Sequence, residues 1–126
     1  LKLLLDTHVL LWTLLDQRRL SSETRTAIQS EESEIFVSVV SPWEFAIKRS
    51  LGKLETPVDL EPALEDQGFK LLPVQLRHIQ GIRSMPRHHG DPFDRMLVAQ
   101  AIADGLTLVT SDRTLRRYPV ATLPAS

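Results

Sequence analysis

Three short apolar runs, each leading into an acidic residue, constrain this chain more than any other feature. Leu1-Lys2-Leu3-Leu4-Leu5 ends on Asp6, Ile35-Phe36-Val37-Ser38-Val39-Val40 leads across Ser41-Pro42 to Glu44, and Leu106-Thr107-Leu108-Val109-Thr110-Ser111 ends on Asp112. Runs this short and apolar read as buried strands, and stretches of helical periodicity lie between them, the pattern of an α/β domain with a mainly parallel sheet. In an open parallel sheet, ligand sites form outside the carboxyl ends of the strands. Acids delivered to those ends from distant segments can therefore meet at one point. Asp94, in the first turn of a strongly apolar helix that starts near Asp91, is a fourth candidate for the same rim. Gathered carboxylates cannot all ionise cheaply unless a cation joins them, and Mg²⁺ or Mn²⁺ suits all-oxygen ligands.

The remaining elements follow from periodicity and caps. Residues 1–6 read as a strand and 7–15 as a helix; Ser21 or Ser22 caps a second helix running to about Ser30, and 35–40 form a second strand. Ser41 as N-cap, Pro42 at the first helical position and Glu44 as capping-box acid start a helix that stops near Gly52. A short helix over 57–67, a strand over 70–74 and a helix to about Met85 follow. After the loop 86–90, the apolar helix from Asp91 ends at Gly105. A strand over 106–110, a short helix over 114–117 and a last strand over 120–123 complete a single domain, residues 1–126.

Composition excludes several classes. With 126 residues the chain holds one core. No apolar stretch approaches the roughly 18 residues of a membrane span, and the opening LKLLLD is too short and too soon acidic for a signal peptide. The first residue is Leu rather than Met, as expected of a chain lacking its first residue or residues. No Cys is present, which removes disulfides, thiolate metal sites and thiol nucleophiles and is compatible with a reducing cytoplasm, the expected compartment. Fifteen Lys+Arg against sixteen Asp+Glu leave a net charge of −1, so any phosphate-facing patch must be local. Arg83, Arg87, Arg95, Arg113, Arg116 and Arg117 are the local candidates, although a scattered set of this kind is commonly a solvated surface.

Each acid also has a purely structural reading. Asp6 can cap the helix from Thr7, Glu44 can be a capping-box acid, Asp91 can cap the helix at Pro92 and pair with Arg95 at i, i+4, and Asp112 can form a turn. Asp94 shares its helical face with Val98 and Ala101 and so turns inward. Lys48, one turn after Glu44, is either an ordinary ion-pair partner or a phosphate-binding cation beside the acids. The pair His88-His89 beside Asp91 does not favour zinc, because neighbouring histidines on a loop point apart. His8 and His78 read as packed or solvated, and Trp12 and Trp43 as core or interface anchors.

The segments LLLDTHVLLW, VSVVSPWEFAIKRSLGKLE, HHGDPFDRMLVAQA and LTLVTSDR resemble, in order and across nearly the whole chain, the motifs of PIN-domain proteins, in particular the VapC-like toxins of bacterial type II toxin–antitoxin pairs. The resemblance implies a three-layer α/β/α sandwich, Mg²⁺- or Mn²⁺-dependent endoribonuclease activity and a cognate antitoxin over the active site. It places the family's catalytic and metal-binding acids on Asp6, Glu44, Asp94 and Asp112. Asp91 belongs to the DPFDR variant and is a further candidate ligand, direct or through water. Thr7 matches a polar supporting position. Thr7, Lys48, Arg95 and Arg113 are the expected substrate-side residues.

Two rival readings stand beside this one. A catalytically silent PIN scaffold would only bind a partner. An Asp phosphoacceptor domain would place a second acid close to the first and a Lys after a late strand, whereas Thr7-His8 follow Asp6 and Arg113 follows Asp112. Leu10, Leu11, Trp12 and Leu14 on the first helix, with Trp43, Phe45 and Ile47 on the helix after Ser41, exceed what one helix face turns to a core. That excess predicts a homodimer, unless loops and the helix over 57–67 cover it within one subunit.

Overall fold

The computed structural model describes residues 1–54 and 59–126. Five strands form one sheet: β1 (Lys2–Leu5), β2 (Glu34–Ser38), β3 (Lys70–Leu72), β4 (Thr107–Thr110) and β5 (Thr122–Pro124). Their order is β3-β2-β1-β4-β5, and every pairing is parallel, with Leu4 opposite Phe36 on one side and Leu108 on the other. The chain therefore steps outward from β1 through β2 to β3, returns, and steps outward again through β4 to β5. That reversal makes the carboxyl ends of β1 and β4 the switch point at which α/β sheets open a crevice.

Helices α1 (Thr7–Leu15), α2 (Ser22–Gln29), α3 (Val40–Ser50), α4 (Leu60–Gln67), α5 (Leu76–Arg83) and α6 (Pro92–Asp104) flank the sheet, with 3-10 turns at Gln17–Arg19 and Leu115–Arg117. Alternate residues of a strand face opposite sides, and the core divides accordingly. Leu3 and Leu5 join Val9, Leu10, Leu20, Ile28 and Leu64 in one layer, while Leu4 joins Val40, Leu97, Val98, Leu108 and Leu115 in the other. Sheet and two apolar layers make the three-layer sandwich. Among the described residues no helix is long and apolar enough to cross a membrane.

The caps explain most of the boundaries. Ser21 accepts from the Thr24 amide at the start of α2, and Asp91 accepts from the amides of Phe93 and Asp94 before Pro92 at the start of α6. Gly105 ends α6 at φ +65°, a left-handed conformation that glycine adopts without a Cβ penalty.

The start of α3 differs from the expected capping box. The helix begins at Val40, its cap position Val39 offers no side-chain bond, and Ser38 at the end of β2 accepts the Val40 amide at 3.1 Å. A serine supplied by the strand thus does the capping, and Ser41 and Glu44 turn into the protein instead. The expected ion pair between Asp91 and Arg95 does not form. The Asp91 carboxylate is taken by the amides it caps, and an Arg95 guanidinium nitrogen lies 3.5 Å from the Met85 carbonyl oxygen. The expected helix start at Pro57 lies outside the described residues; α4 is seen from Leu60.

The apolar excess on α1 is largely consumed within the subunit. Leu10 is fully buried, and Trp12 and Leu14 pack on a layer that also receives Leu60 and Leu64 from α4. On α3, Phe45 is buried but Trp43 remains 60% exposed.

Candidate active site

Asp6 follows the last residue of β1 and caps α1, its Oδ1 accepting the Val9 amide at 2.8 Å. It is 4% exposed, and burial raises its carboxyl above the ordinary value despite hydrogen bonds from Thr110 and Val9; the neighbouring Asp112 charge adds to the rise. Such an enclosed carboxylate, already engaged by its helix, is a poor fit to the phosphoacceptor reading.

Asp94 lies one turn into α6, where capping by Asp91 and the inward face of the helix hold it at the same rim. Burial, reinforced by the charges of Asp91, Asp6 and Glu44, pushes its carboxyl up to about 7. Asp112 sits beyond β4, its Oδ1 accepting the Thr114 amide at 2.8 Å. Burial works to raise its pKa, but the Thr114 hydrogen bonds and His89 outweigh it and hold the group below the usual carboxylate range.

Glu44, 4% exposed, takes a different environment. Thr7 donates to its Oε1 at 2.9 Å, and Lys48 donates to its Oε2 at 2.6 Å from the next turn of α3. The Thr7 hydroxyl also meets Ser41 Oγ at 2.9 Å. The Lys48 ammonium is held above its ordinary pKa chiefly by that hydrogen bond, with the charges of Asp91 and Asp94 contributing. Lys48 is thus an ion-pair partner and also a cation facing the acid cluster.

Asp6, Glu44, Asp94 and Asp112 therefore share one electrostatic neighbourhood at the carboxyl edge of the sheet, with Asp91 at its border. Of the expected substrate-side residues, Thr7 is buried against Glu44, Arg113 is exposed next to Asp112, and Arg95 is half-buried beside Met85.

His89 is the site residue that sequence reasoning missed. Its Nδ1 accepts the Asp91 amide at 3.0 Å, so the lone pair is there and, in the neutral ring, the proton is on Nε2. Nε2 then donates to Asp112 Oδ2 at 2.9 Å and lies 3.5 Å from Asp94 Oδ2. One atom from each of His89, Asp94 and Asp112 falls within 4.8 Å of the others. In this tautomer His89 positions Asp112 and bridges toward Asp94, while the carboxylate oxygens remain the donors. The two histidines do point apart, His88 meeting the Tyr118 ring edge-on at 5.0 Å. No spacing rule singles out His89; only the folding of its loop across β4's end brings it to the acids.

The donor set fits a hard divalent cation. Its oxygens come from three separate elements, and the crowding that raises Asp94 is the condition such a cation relieves.

An open, all-parallel sheet with clustered carboxylates at its switch point defines an α/β protein with a candidate site at the carboxyl edge. The PIN domain family model matches residues 3–121, and the chain belongs to that family. It is similar to Ribonuclease VapC22 of Mycobacterium tuberculosis (strain ATCC 25618 / H37Rv), with 29% identity over 118 residues that cover 91% of this chain and 90% of the relative. Among solved structures, VapBC2 from Rickettsia felis bound to a promoter DNA fragment shares the fold with a TM-score of 0.72 at 14% identity over the whole of both chains. FitAcB from Neisseria gonorrhoeae shares it with a TM-score of 0.62 at 18% identity, covering 97% of this chain and 96% of that one.

Proposed function

We propose that this PIN-domain protein is a divalent-metal-dependent endoribonuclease, the toxin of a type II toxin–antitoxin pair acting in the cytoplasm. The observation that carries the reading is the meeting of Asp6, Asp94 and Asp112 at one rim, with Asp94 pushed up to about 7 by burial and like charge. Likeness to a ribonuclease over nine-tenths of the chain supports the substrate class, and the motif resemblance supports the antitoxin.

In this reading Asp6, Asp94 and Asp112 hold Mg²⁺ or Mn²⁺, with Asp91 at the border of the site. A cation bound there supplies Lewis-acid polarisation of a phosphoryl oxygen and lowers the pKa of water. Glu44 orients the attacking water: after accepting from Thr7 and Lys48, each of its oxygens keeps a lone pair directed by a fixed side chain. Lys48 holds Glu44 in place through its 2.6 Å contact and adds positive charge beside the scissile phosphate. His89 restrains Asp112 so that one oxygen stays poised while the other is fixed by the Thr114 amide.

A homodimer is the assembly that fits the remaining apolar surface. An open groove of about 660 Å³ is lined by Val39, Trp43, Ile79, Ile82, Phe93 and Met96, among others, and apolar surface of this kind is ordinarily covered by another chain.

Cleavage of a labelled RNA in Mg²⁺ or Mn²⁺, against EDTA and against Asp6→Asn, tests the function. Activity lost in EDTA, and lost by at least about 10²-fold in the variant, is expected. Cleavage that survives both changes removes the metal-carboxylate reading, and a folded protein that cleaves nothing in either metal supports the silent scaffold.

A further inference from the structure

We propose that the RNA backbone is gripped on one side of the acid cluster, by a rim of four arginines: Arg87, Arg113, Arg116 and Arg117. The inference rests on the ribonuclease reading and names where and how that substrate is held.

Several cations elsewhere in the described protein are engaged, while Lys2 and Arg83 are exposed without an ion pair, so pairing alone does not single out the rim. Arg18 pairs with Asp16, Lys48 with Glu44, Lys70 with Glu34 and Arg77 with Asp104, and Arg19 lies over the Trp12 ring at 4.7 Å. Arg87, Arg113, Arg116 and Arg117 are all exposed, and among the described residues none has an ion-pair partner. Four unpaired like charges repel one another, and a polyanion is the ligand that relieves the repulsion.

Their placement is what separates them from a solvated surface. Arg113 follows Asp112 directly. Arg116 lies one 3-10 turn further on, its amide donating to the Arg113 carbonyl at 3.2 Å, and side chains three apart in such a turn eclipse. Arg87 comes from the other segment of the rim, the loop before α6. That loop is fastened to the Leu115–Arg117 turn by three contacts: the His89 amide to the Tyr118 hydroxyl at 3.0 Å, the His88–Tyr118 ring contact, and His89 to Asp112. The arginines are therefore carried on two segments locked to each other and to an acid of the cluster. Next to Asp94 in the chain the surface turns apolar, where Phe93 meets Trp43 edge-on at 5.0 Å beside the open groove. Phosphates gain nothing there. The asymmetry sends the strand across the acids and out over the arginines, with charge-assisted, bidentate contacts to phosphate oxygens.

The test is fluorescence anisotropy with a fluorescein-labelled single-stranded RNA in EDTA, so that binding is read without cleavage, as a function of salt. Arg116→Ala/Arg117→Ala is compared with wild type and with Lys2→Ala/Arg18→Ala, the same charge change at the opposite edge of the sheet. The rim variant is expected to bind at least about tenfold more weakly and to lower the log-affinity against log-salt slope by about 0.7 per arginine, while the control variant binds as wild type. Equal weakening in both variants, or in neither, overturns the rim. Unchanged RNA binding with lost affinity for a poly-glutamate peptide overturns it too and assigns the arginines to an acidic protein segment. In each of those cases a wild type that still cleaves RNA leaves the ribonuclease reading standing; a wild type that neither binds nor cleaves RNA overturns both.

Discussion

Asp94 concentrates the electrostatics of the site in one side chain. Its pKa rises from an ordinary carboxyl value to about 7 in the folded protein, so the protonated form is favoured by folding. The resulting stability is present in full below the unfolded pKa and is lost as pH rises through 7. Metal-free protein in EDTA should therefore melt at a lower temperature at pH 8 than at pH 5, and Asp94→Asn should flatten that slope. Mg²⁺ or Mn²⁺, binding the ionised form, should raise the midpoint more at pH 8 than at pH 5; a metal effect equal at both would count against Asp94 as a ligand. His89 makes a separate prediction. Loss of a hydrogen-bonding partner behind a ligand typically costs about 10–100-fold in activity or metal affinity, so His89→Ala should fall in that range. His89→Gln, which retains an N–H donor, should recover part of the loss in kcat with little change in KM.

Two helix pairs set the site and its surroundings. On α3, Lys48 lies one turn from Glu44, and its removal leaves a buried carboxylate without its cation. Removing one partner of a fully buried pair costs about 3–5 kcal/mol, but the Lys48 side chain is 40% exposed, so Lys48→Met should cost about 1–2 kcal/mol by denaturant melt. Between α5 and α6, His78 is fully buried, accepts the Gln75 amide on Nδ1 and meets Asp104 at 3.0 Å through Nε2. Arg77 adds a two-point contact to the same carboxylate. Burial opposes the ionised form of Asp104, yet His78 and Arg77 hold its pKa below the ordinary value. The contribution is thus present above about pH 4 and is lost as pH falls through the lowered pKa. Asp104→Asn should destabilise by about 1–3 kcal/mol, the cost of a buried donor left unpaired, and should soften the acid side of the stability profile. Because α5 carries Ile79 and Ile82, this clamp also sets one wall of the apolar groove.

At the scale of the whole molecule, two unlike surfaces adjoin the elements that carry the acid cluster, the proposed arginine rim and an apolar groove. The groove belongs to the proposed homodimer. Trp43→Ala should shift the protein toward monomer in light scattering at tens of micromolar while leaving its melting temperature close to wild type, since the side chain is mostly exposed. A monomeric wild type at that concentration would remove the dimer.

Strand positions, the α/β class and the rim at which the acids gather were legible in the sequence, because buried parallel strands must be short and apolar and their carboxyl ends must open onto turns. The caps of α2 and α6 were equally readable, since Ser21 and Asp91 act on amides two or three residues away. Tertiary structure alone decided the rest. Ser38 replaced Ser41 as the cap of α3 because the end of β2 reaches the first helical amide, and Ser41 was drawn to Thr7, 34 positions away in the chain. His89 reached Asp112 across 23 positions, and Leu60 and Leu64 came over from α4 to cover α1. These contacts depend on which loops cross the sheet edge and how closely they lie, and local propensity carries no information about that distance.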